Sequence, residues 1–389
     1  MQMKRIMFGR GAWCGILLVF LTLAGTGCAC CTAPAPKTAA APAKAPLKVG
    51  LYVDAGSQGG GVIQLARLIE YSPQLQLILL EGQDLRDGKL KGLDLLVVPG
   101  GSSGKQYESM QETGVQAVRD YVAGGGAYFG ICAGFHCTLN RPKRIGLLPY
   151  TFVQEQVGSR AVVTVDISKK GAQLLDIRPG AYSVVYSHGP ISRPCEQPGT
   201  GWGEVLAVYK NSISSAKRPK ANFAGYPAML HGQYGKGKVI ATSFHPEYRV
   251  ATHEIAFGCI YAVTGVKPAP VFPVKQVRPL RVGYNTVLDG KTSIAEALML
   301  DRQPDLDVNF AVSFPDGSLD HLDVMVFPQG RSKATASAVK APPVMEFLKR
   351  GGKVIAIGKA AEAAPDHPNV IRLSDRSKLL ETVRAAGKK

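Results

Sequence analysis

Acidic residues are scarce in this sequence of 389 residues, where 29 aspartates and glutamates stand against 46 lysines and arginines. The net charge of +17 predicts attraction to anionic surfaces but does not choose among lipid, cell-wall polymer and nucleic acid. Charged residues make up 19% of the chain, too few for a disordered protein, and the hydrophobic fraction of 46% is enough for real cores. The eight cysteines are too sparse for a disulfide scaffold. The length predicts two or three folded domains.

Long apolar runs are also missing, except at the N-terminus. A spanning helix needs roughly 20 apolar residues, so an integral transporter or channel is excluded. The apolar run at 16–23 is shorter, follows the basic residues Lys4, Arg5 and Arg10, and precedes small residues. This order predicts a secretory signal peptide over residues 1–27, with an uncleaved N-terminal anchor as the alternative.

Cys28 directly follows those small residues. The arrangement resembles a bacterial lipoprotein signal, in which the cysteine carries the lipid, although Gly25 stands where leucine is usual. We therefore expect an exported protein of the periplasm or cell envelope, bound to the membrane if Cys28 is lipidated and soluble if it is not. There the basic charge predicts only weak binding to anionic envelope polymers.

Two proline-rich segments predict the domain boundaries. Residues 28–46 are rich in alanine and proline and predict an extended linker, and residues 268–278 predict a second one. Between and after them we expect a larger domain (47–267) and a smaller domain (279–389). Strand patterns at 47–53, 75–80, 93–98 and 127–131 alternate with helix patterns at 62–70, 114–123 and 252–263. This alternation predicts an α/β fold with a parallel sheet flanked by helices, and a strand-rich stretch at 160–243.

The C-terminal third repeats the first. PLKVG at 46–50 recurs at 279–283, LDLLVVPGG at 93–101 parallels 322–330, and the segment 121–134 parallels 347–360. The repeat predicts a smaller parallel α/β unit that is degenerate. Gly358 stands at the register of Cys132, and Gln329 replaces Gly100, so this unit should lack a nucleophile.

Residues with reactive or ionisable side chains directly follow several of the predicted strands. Cys132 lies between two glycines in G-x-C-x-G, after a strand and before a helix pattern, which suits a nucleophile on a sharp turn. The following helix start and the Pro99-Gly100-Gly101 turn can donate backbone N–H groups to an oxyanion. Another apolar strand ends at His245, with Glu247 two residues on, which suits a base and the carboxylate that orients it.

Three segments, 97–111, 118–138 and 235–250, together resemble the class I glutamine-amidotransferase-like fold, and within it the N-terminal domain of biotin-protein ligases. The resemblance implies a nucleophile at Cys132, a base at His245 and an orienting carboxylate at Glu247. It also implies oxyanion-hole amides at Gly101 and Ala133, and substrate-binding residues at Gly100, Ser187, His188 and Gly189.

The sequence departs from that family at His136, which occupies the position of the glutamine in working glutaminases. We expect His136 at the substrate pocket and do not expect glutamine as the substrate. No ligase catalytic domain or ammonia-consuming synthetase domain follows, so biotin-ligase activity is not expected. Two functions stay open: a cysteine hydrolase that cleaves a small amide or peptide through a thioester, and a non-catalytic envelope binding or scaffold protein. A Cys132–Cys137 bridge would favour the second.

Other classes of site find little support. The glycine run at 56–61 lacks both the dinucleotide-binding spacing and the P-loop Lys-Ser/Thr pair, which predicts a strand–helix turn beside the pocket. No histidine or cysteine cluster has metal-ligand spacing, and no cofactor is expected. The basic residues are scattered without interleaved aromatics, so no nucleic-acid partner is expected.

Overall fold

The structure, a computed structural model, describes residues 45–57, 59–153, 160–196, 201–214, 221–286, 290–311, 319–329 and 337–387. The predicted signal peptide (1–27), Cys28 and residues 28–44 of the predicted linker lie outside the described residues. Within these ranges, no helix is both long enough and apolar enough to cross a membrane.

A nine-stranded sheet forms the first part of the chain, in the order β2-β1-β3-β4-β11-β10-β9-β6-β7. Strands β2 to β11 in this order are parallel, and the remaining pairs are antiparallel. A separate antiparallel pair joins β5 and β8. The strands are β1 (Leu47–Tyr52), β2 (Leu75–Leu80), β3 (Leu95–Val98), β4 (Ala127–Ile131), β5 (Tyr150–Val153), β6 (Arg160–Ile167), β7 (Gly180–Ser187), β8 (Ile191–Pro194), β9 (Gly201–Tyr209), β10 (Pro227–Tyr234) and β11 (Gly237–Thr242).

Helices cover both faces of the parallel half of this sheet. They are α1 (Gly59–Glu70), α2 (Gly82–Arg86), α3 (Ser103–Ala123), α4 (Ala133–Thr138), α5 (Lys169–Leu175) and α6 (His253–Thr264). One core lies under α1 and α6, and a second lies under α3 and α4. Every residue of β3 and β4 is buried, because a parallel strand covered on both faces has no side that faces water. The predicted α/β fold, a sheet flanked by helices, is confirmed.

Helix α3 begins eleven residues earlier than the sequence predicts, at Ser103 rather than Gly114. Its first half is polar and contains Gly104, so the apolar period emerges only in the second half. The backbone at Gln111 leaves the helical region, with a φ of 58°, and this break separates the two halves. Only the second half has the continuous periodicity on which the prediction depended.

The C-terminal repeat forms a second sheet of five parallel strands, in the order β13-β12-β14-β15-β16. Its strands are β12 (Leu280–Asn285), β13 (Leu306–Ala311), β14 (Val324–Phe327), β15 (Lys353–Ile357) and β16 (Val370–Leu373), and its helices are α7 (Lys291–Asp301), α8 (Pro342–Lys349), α9 (Lys359–Ala363) and α10 (Leu379–Gly387). Strands β12, β14 and β15 take the places that β1, β3 and β4 occupy in the large sheet. The predicted small parallel unit is therefore present.

The two sheets meet through α1 and α7. Ile63 of α1 is fully buried in the core of the small sheet, and Leu298 of α7 belongs to a core of the large one. Asp301, whose side chain is 2% exposed, accepts hydrogen bonds from Arg67 Nε and the Tyr71 hydroxyl, both at 2.7 Å. Helix α1 therefore belongs to both cores.

Candidate active site

Cys132 lies at a strained corner between β4 and α4. Its backbone has φ 51° and ψ −99°, a conformation that costs a non-glycine residue about 1–3 kcal/mol. Tight packing holds the corner, since a Cβ at Gly134 would lie 1.9 Å from the carbonyl oxygen of Val98. The Cys132 N–H donates to Thr242 O at 2.8 Å, which ties the corner to the end of β11.

His245 and Glu247 lie just beyond that end of β11, and both are fully buried. Nδ1 of His245 is 2.7 Å from Oε1 of Glu247. Burial opposes protonation of the ring, but the negative charges of Glu247 and Cys132 and the hydrogen bond with Glu247 outweigh it and raise the pKa of His245 to about 10. The imidazole is therefore cationic at neutral pH and pairs with the Glu247 carboxylate, while its Nε2 has no hydrogen-bond partner among the described residues.

The two amides expected to form an oxyanion hole follow neighbouring strands, Gly101 after β3 and Ala133 after β4. Ala133 opens α4, and Gly101, with φ 141°, follows β3. Among the described residues, neither N–H has a backbone acceptor. Gly100 contacts the base itself, since a Cβ there would lie 2.4 Å from Cε1 of His245.

The segment expected to cross the pocket packs against the same residues. The Cys132 thiol donates to the Ser187 carbonyl at 3.3 Å, and the His245 N–H donates to the Val185 carbonyl at 2.8 Å. A Cβ at Gly189 would lie 1.9 Å from the Ser243 carbonyl oxygen, so only glycine fits there. His188 is exposed, with a φ of 58°. The end of β7 thus runs directly beside the sulfur.

His136 lies one helical turn after Cys132. Its Nδ1 is 2.7 Å from Ser103 Oγ and accepts a hydrogen bond from Arg144 Nε at 3.1 Å. Burial, followed by the charges of Arg144 and Arg141, lowers the pKa of His136 to about 3, so the ring is neutral. His136 therefore presents a neutral polar group where a glutaminase carries an amide.

Cys132 is a free thiol in this structure. Cys137, Cys195 and Cys259 are also free, so the Cys132–Cys137 bridge considered from the sequence is not formed. Cys137 is buried, and burial raises its pKa to about 12. Within the described ranges, no group of three histidine, cysteine, aspartate or glutamate side chains is placed to hold a metal ion.

Three residues at the site were not identified from the sequence. The Tyr248 ring stacks on His245 with centroids 4.7 Å apart, and the Arg160 guanidinium lies 4.6 Å above the Tyr248 ring. A Cβ at Gly61, in the first turn of α1, would lie 2.8 Å from Glu247 Oε1. The triple glycine at 59–61 was the available signal for this close approach, whereas nothing local distinguishes Arg160 from other arginines.

Sequence comparisons match this part of the chain. Residues 86–141 match the family model described as biotin-protein ligase, N terminal. The subunit PdxT of pyridoxal 5'-phosphate synthase from Niallia circulans is 27% identical over 195 residues, 48% of this chain and 85% of that protein. The biotin–protein ligase of Schizosaccharomyces pombe is 27% identical over 180 residues, 40% of this chain but only 25% of the ligase.

Solved structures give weaker matches. PurLQS from Thermotoga maritima has a TM-score of 0.41 at 16% identity and covers 55% of this chain and 98% of its own. A ThuA-like protein from Bacteroides uniformis has a TM-score of 0.42 at 16% identity, and the match covers 58% of this chain and 94% of that protein. Scores this low carry no argument about function. The family match and the sequence relatives, however, confirm the resemblance predicted from the motifs: this part of the chain is similar to class I glutamine-amidotransferase-like proteins, and residues 86–141 are similar to the N-terminal domain of biotin-protein ligases.

Proposed function

We propose that this protein is an exported cysteine hydrolase that cleaves an amide or peptide bond through a thioester on Cys132. The observation that carries the proposal is the buried Glu247–His245 pair, in which the carboxylate holds Nδ1 at 2.7 Å and the other ring nitrogen, Nε2, is left without a hydrogen-bond partner among the described residues, close enough to Cys132 for its charge to raise the pKa of the ring. A base held by a carboxylate and facing a nucleophile is the arrangement that nucleophilic hydrolysis requires.

In the proposed reaction, His245 holds the proton of the Cys132 thiol, and the sulfur attacks the amide carbonyl carbon. The carbonyl electrons move onto oxygen, where the N–H groups of Gly101 and Ala133 stabilise the charge. The intermediate expels the amine, which takes the proton from His245. Water, deprotonated by His245, then attacks the thioester and releases the carboxylic acid with the thiol restored.

The test is alkylation of Cys132 by iodoacetamide as a function of pH, comparing the wild type with His245→Ala. Because the raised pKa keeps His245 cationic at neutral and mildly acidic pH, the imidazolium would stabilise the negative charge on the sulfur when the thiol loses its proton. In His245→Ala, the alkylation rate of Cys132 should show the pH dependence of an ordinary thiol, whose pKa is about 8.5. At about pH 6.5 we expect His245→Ala to slow alkylation about tenfold or more. Peptide mass mapping locates the label.

His231→Ala is the matched control, because His231 lies on β10 and its imidazole pairs with Glu204 instead. We expect it to keep the wild-type rate. If both the wild type and His245→Ala show the pH dependence of an ordinary thiol, the hydrolase proposal is wrong. A non-catalytic envelope binding or scaffold role would then be the better account.

Export is the second part of the proposal, and it is supported by the basic start, short apolar run and small residues before Cys28. We expect cell fractionation to recover a shortened chain outside the cytoplasm. If Cys28 is lipidated, Cys28→Ala should move the protein from the membrane fraction to the soluble one. Full-length chain confined to the cytosol would contradict export.

A further inference from the structure

Three arginines that contact the site residues His136 and Tyr248 have no carboxylate partner. Among the described residues, no ion pair joins Arg141, Arg144 or Arg160 to an aspartate or glutamate, and Glu112 pairs with Arg119. Guanidinium groups left unpaired beside a nucleophile keep their charge available to a bound anion.

Two of these arginines lie at His136. Arg144 Nε donates to Nδ1 of the imidazole, Arg141 Nη1 is 3.4 Å from Nε2, and the Arg141 guanidinium lies 5.3 Å from the centre of the Phe152 ring. Because Arg144 is partly buried and the imidazole is neutral, none of the positive charge is compensated there. Burying a charge without a partner is costly, and a bound anion would remove that cost.

The third arginine, Arg160, contacts Tyr248. Arg160 is exposed, and its guanidinium covers Tyr248, which stacks on His245. In the β6–β7 ladder, Arg160 is directly opposite Ser187, whose carbonyl accepts a hydrogen bond from the Cys132 thiol. The Arg160 charge therefore lies on β6, next to the β7 residue whose carbonyl contacts the Cys132 sulfur.

We propose, building on the hydrolase function above, that the acyl substrate of Cys132 carries a carboxylate and that Arg141, Arg144 and Arg160 bind it. A guanidinium offers paired donors that match the two oxygens of a carboxylate. A neutral amide would leave these charges uncompensated and would gain nothing from them. The substrate class is thus an anionic amide or peptide.

The experiment compares two alkylating reagents that differ in charge. Iodoacetate and iodoacetamide both lose iodide as the sulfur forms a bond to carbon, but only iodoacetate carries a carboxylate. The measured quantity is the ratio of their rate constants at Cys132, with reduced glutathione as the reference thiol. We expect the wild-type ratio to exceed that of glutathione about tenfold at low salt and to fall as salt is added.

Arg160→Gln and Arg144→Gln should each lower the ratio about threefold. Arg350→Gln is the matched control, because it removes the same charge from an exposed residue beyond α8 of the small sheet. Arg144 contacts His136, so circular dichroism must show that its variant is folded. Arg160 is exposed, and its variant keeps the test decisive if Arg144→Gln does not fold.

A wild-type ratio equal to that of glutathione would overturn the anionic substrate class. A raised ratio that survives both arginine substitutions would overturn the assignment to these residues. If Cys132 reacts slowly with both reagents, the hydrolase function fails instead. Calorimetric titration with glutarate then decides the anion site alone: binding lost in Arg160→Gln supports it, and no binding to the wild type overturns it.

Discussion

Gly100→Ala should remove most of the reactivity of Cys132 while leaving the protein folded. The added Cβ would lie 2.4 Å from Cε1 of His245, far inside van der Waals contact, and 3.3 Å from both ring nitrogens. The imidazole would have to turn away from Glu247 or from the sulfur. We expect alkylation by iodoacetamide near neutral pH to slow about tenfold or more, toward the rate of His245→Ala.

Gly104→Ala provides the control, because a Cβ at this position meets no heavy atom within 4 Å. It adds the same methyl group four residues further along the chain, inside α3, and should keep the wild-type rate. If Gly100→Ala also reacts at the wild-type rate with an unchanged pH profile, then the position of the His245 ring does not control the thiol.

Asp301→Asn should produce the largest loss of stability among single polar substitutions at the junction of the two sheets. Its carboxylate is almost completely buried and accepts hydrogen bonds from Arg67 and Tyr71. The neutral amide would leave the Arg67 charge without its partner. Breaking such a buried pair costs about 3–5 kcal/mol, which urea unfolding followed by circular dichroism would measure.

Asp305→Asn makes the same chemical change at an exposed ion pair. Asp305 accepts from Arg384 Nε at 2.7 Å, with the two side chains 31% and 41% exposed. Exposed pairs contribute about 0–1 kcal/mol, so the free energy of unfolding should fall by no more than that. Similar losses in the two variants would show that burial of Asp301 does not govern the stability of the junction.

The sequence predicted the parts of the fold and site that depend on local patterns. Continuous apolar runs predicted the buried strands, and residues placed just after those strands predicted that Cys132, His245 and Glu247 lie together. Parallel strands bring their carboxyl ends to one edge of a sheet, so position along the chain was sufficient. The repeated segments predicted the small sheet for the same reason.

The rest depends on contacts between distant segments. Tyr248 and Arg160 are separated by 88 positions in the printed sequence, and neither belongs to a motif that would pair them. The packing of α1 into both cores joins Arg67 to Asp301 across 234 positions. Prolines at 268–278 suggested a linker, and the division into separate domains there stays a prediction.

The small sheet retains the corner at which the large sheet holds its cysteine. Gly358 precedes α9 with φ 55° and ψ −125°, close to the values at Cys132. The side chain of Gln329 packs against Gly358, where a Cβ would lie 2.7 Å from its Cγ. Glycine reaches this backbone conformation without a side-chain clash. The repeated half therefore contains the same turn with glycine in place of the cysteine, so one chain holds both a strained and an unstrained form of this bend.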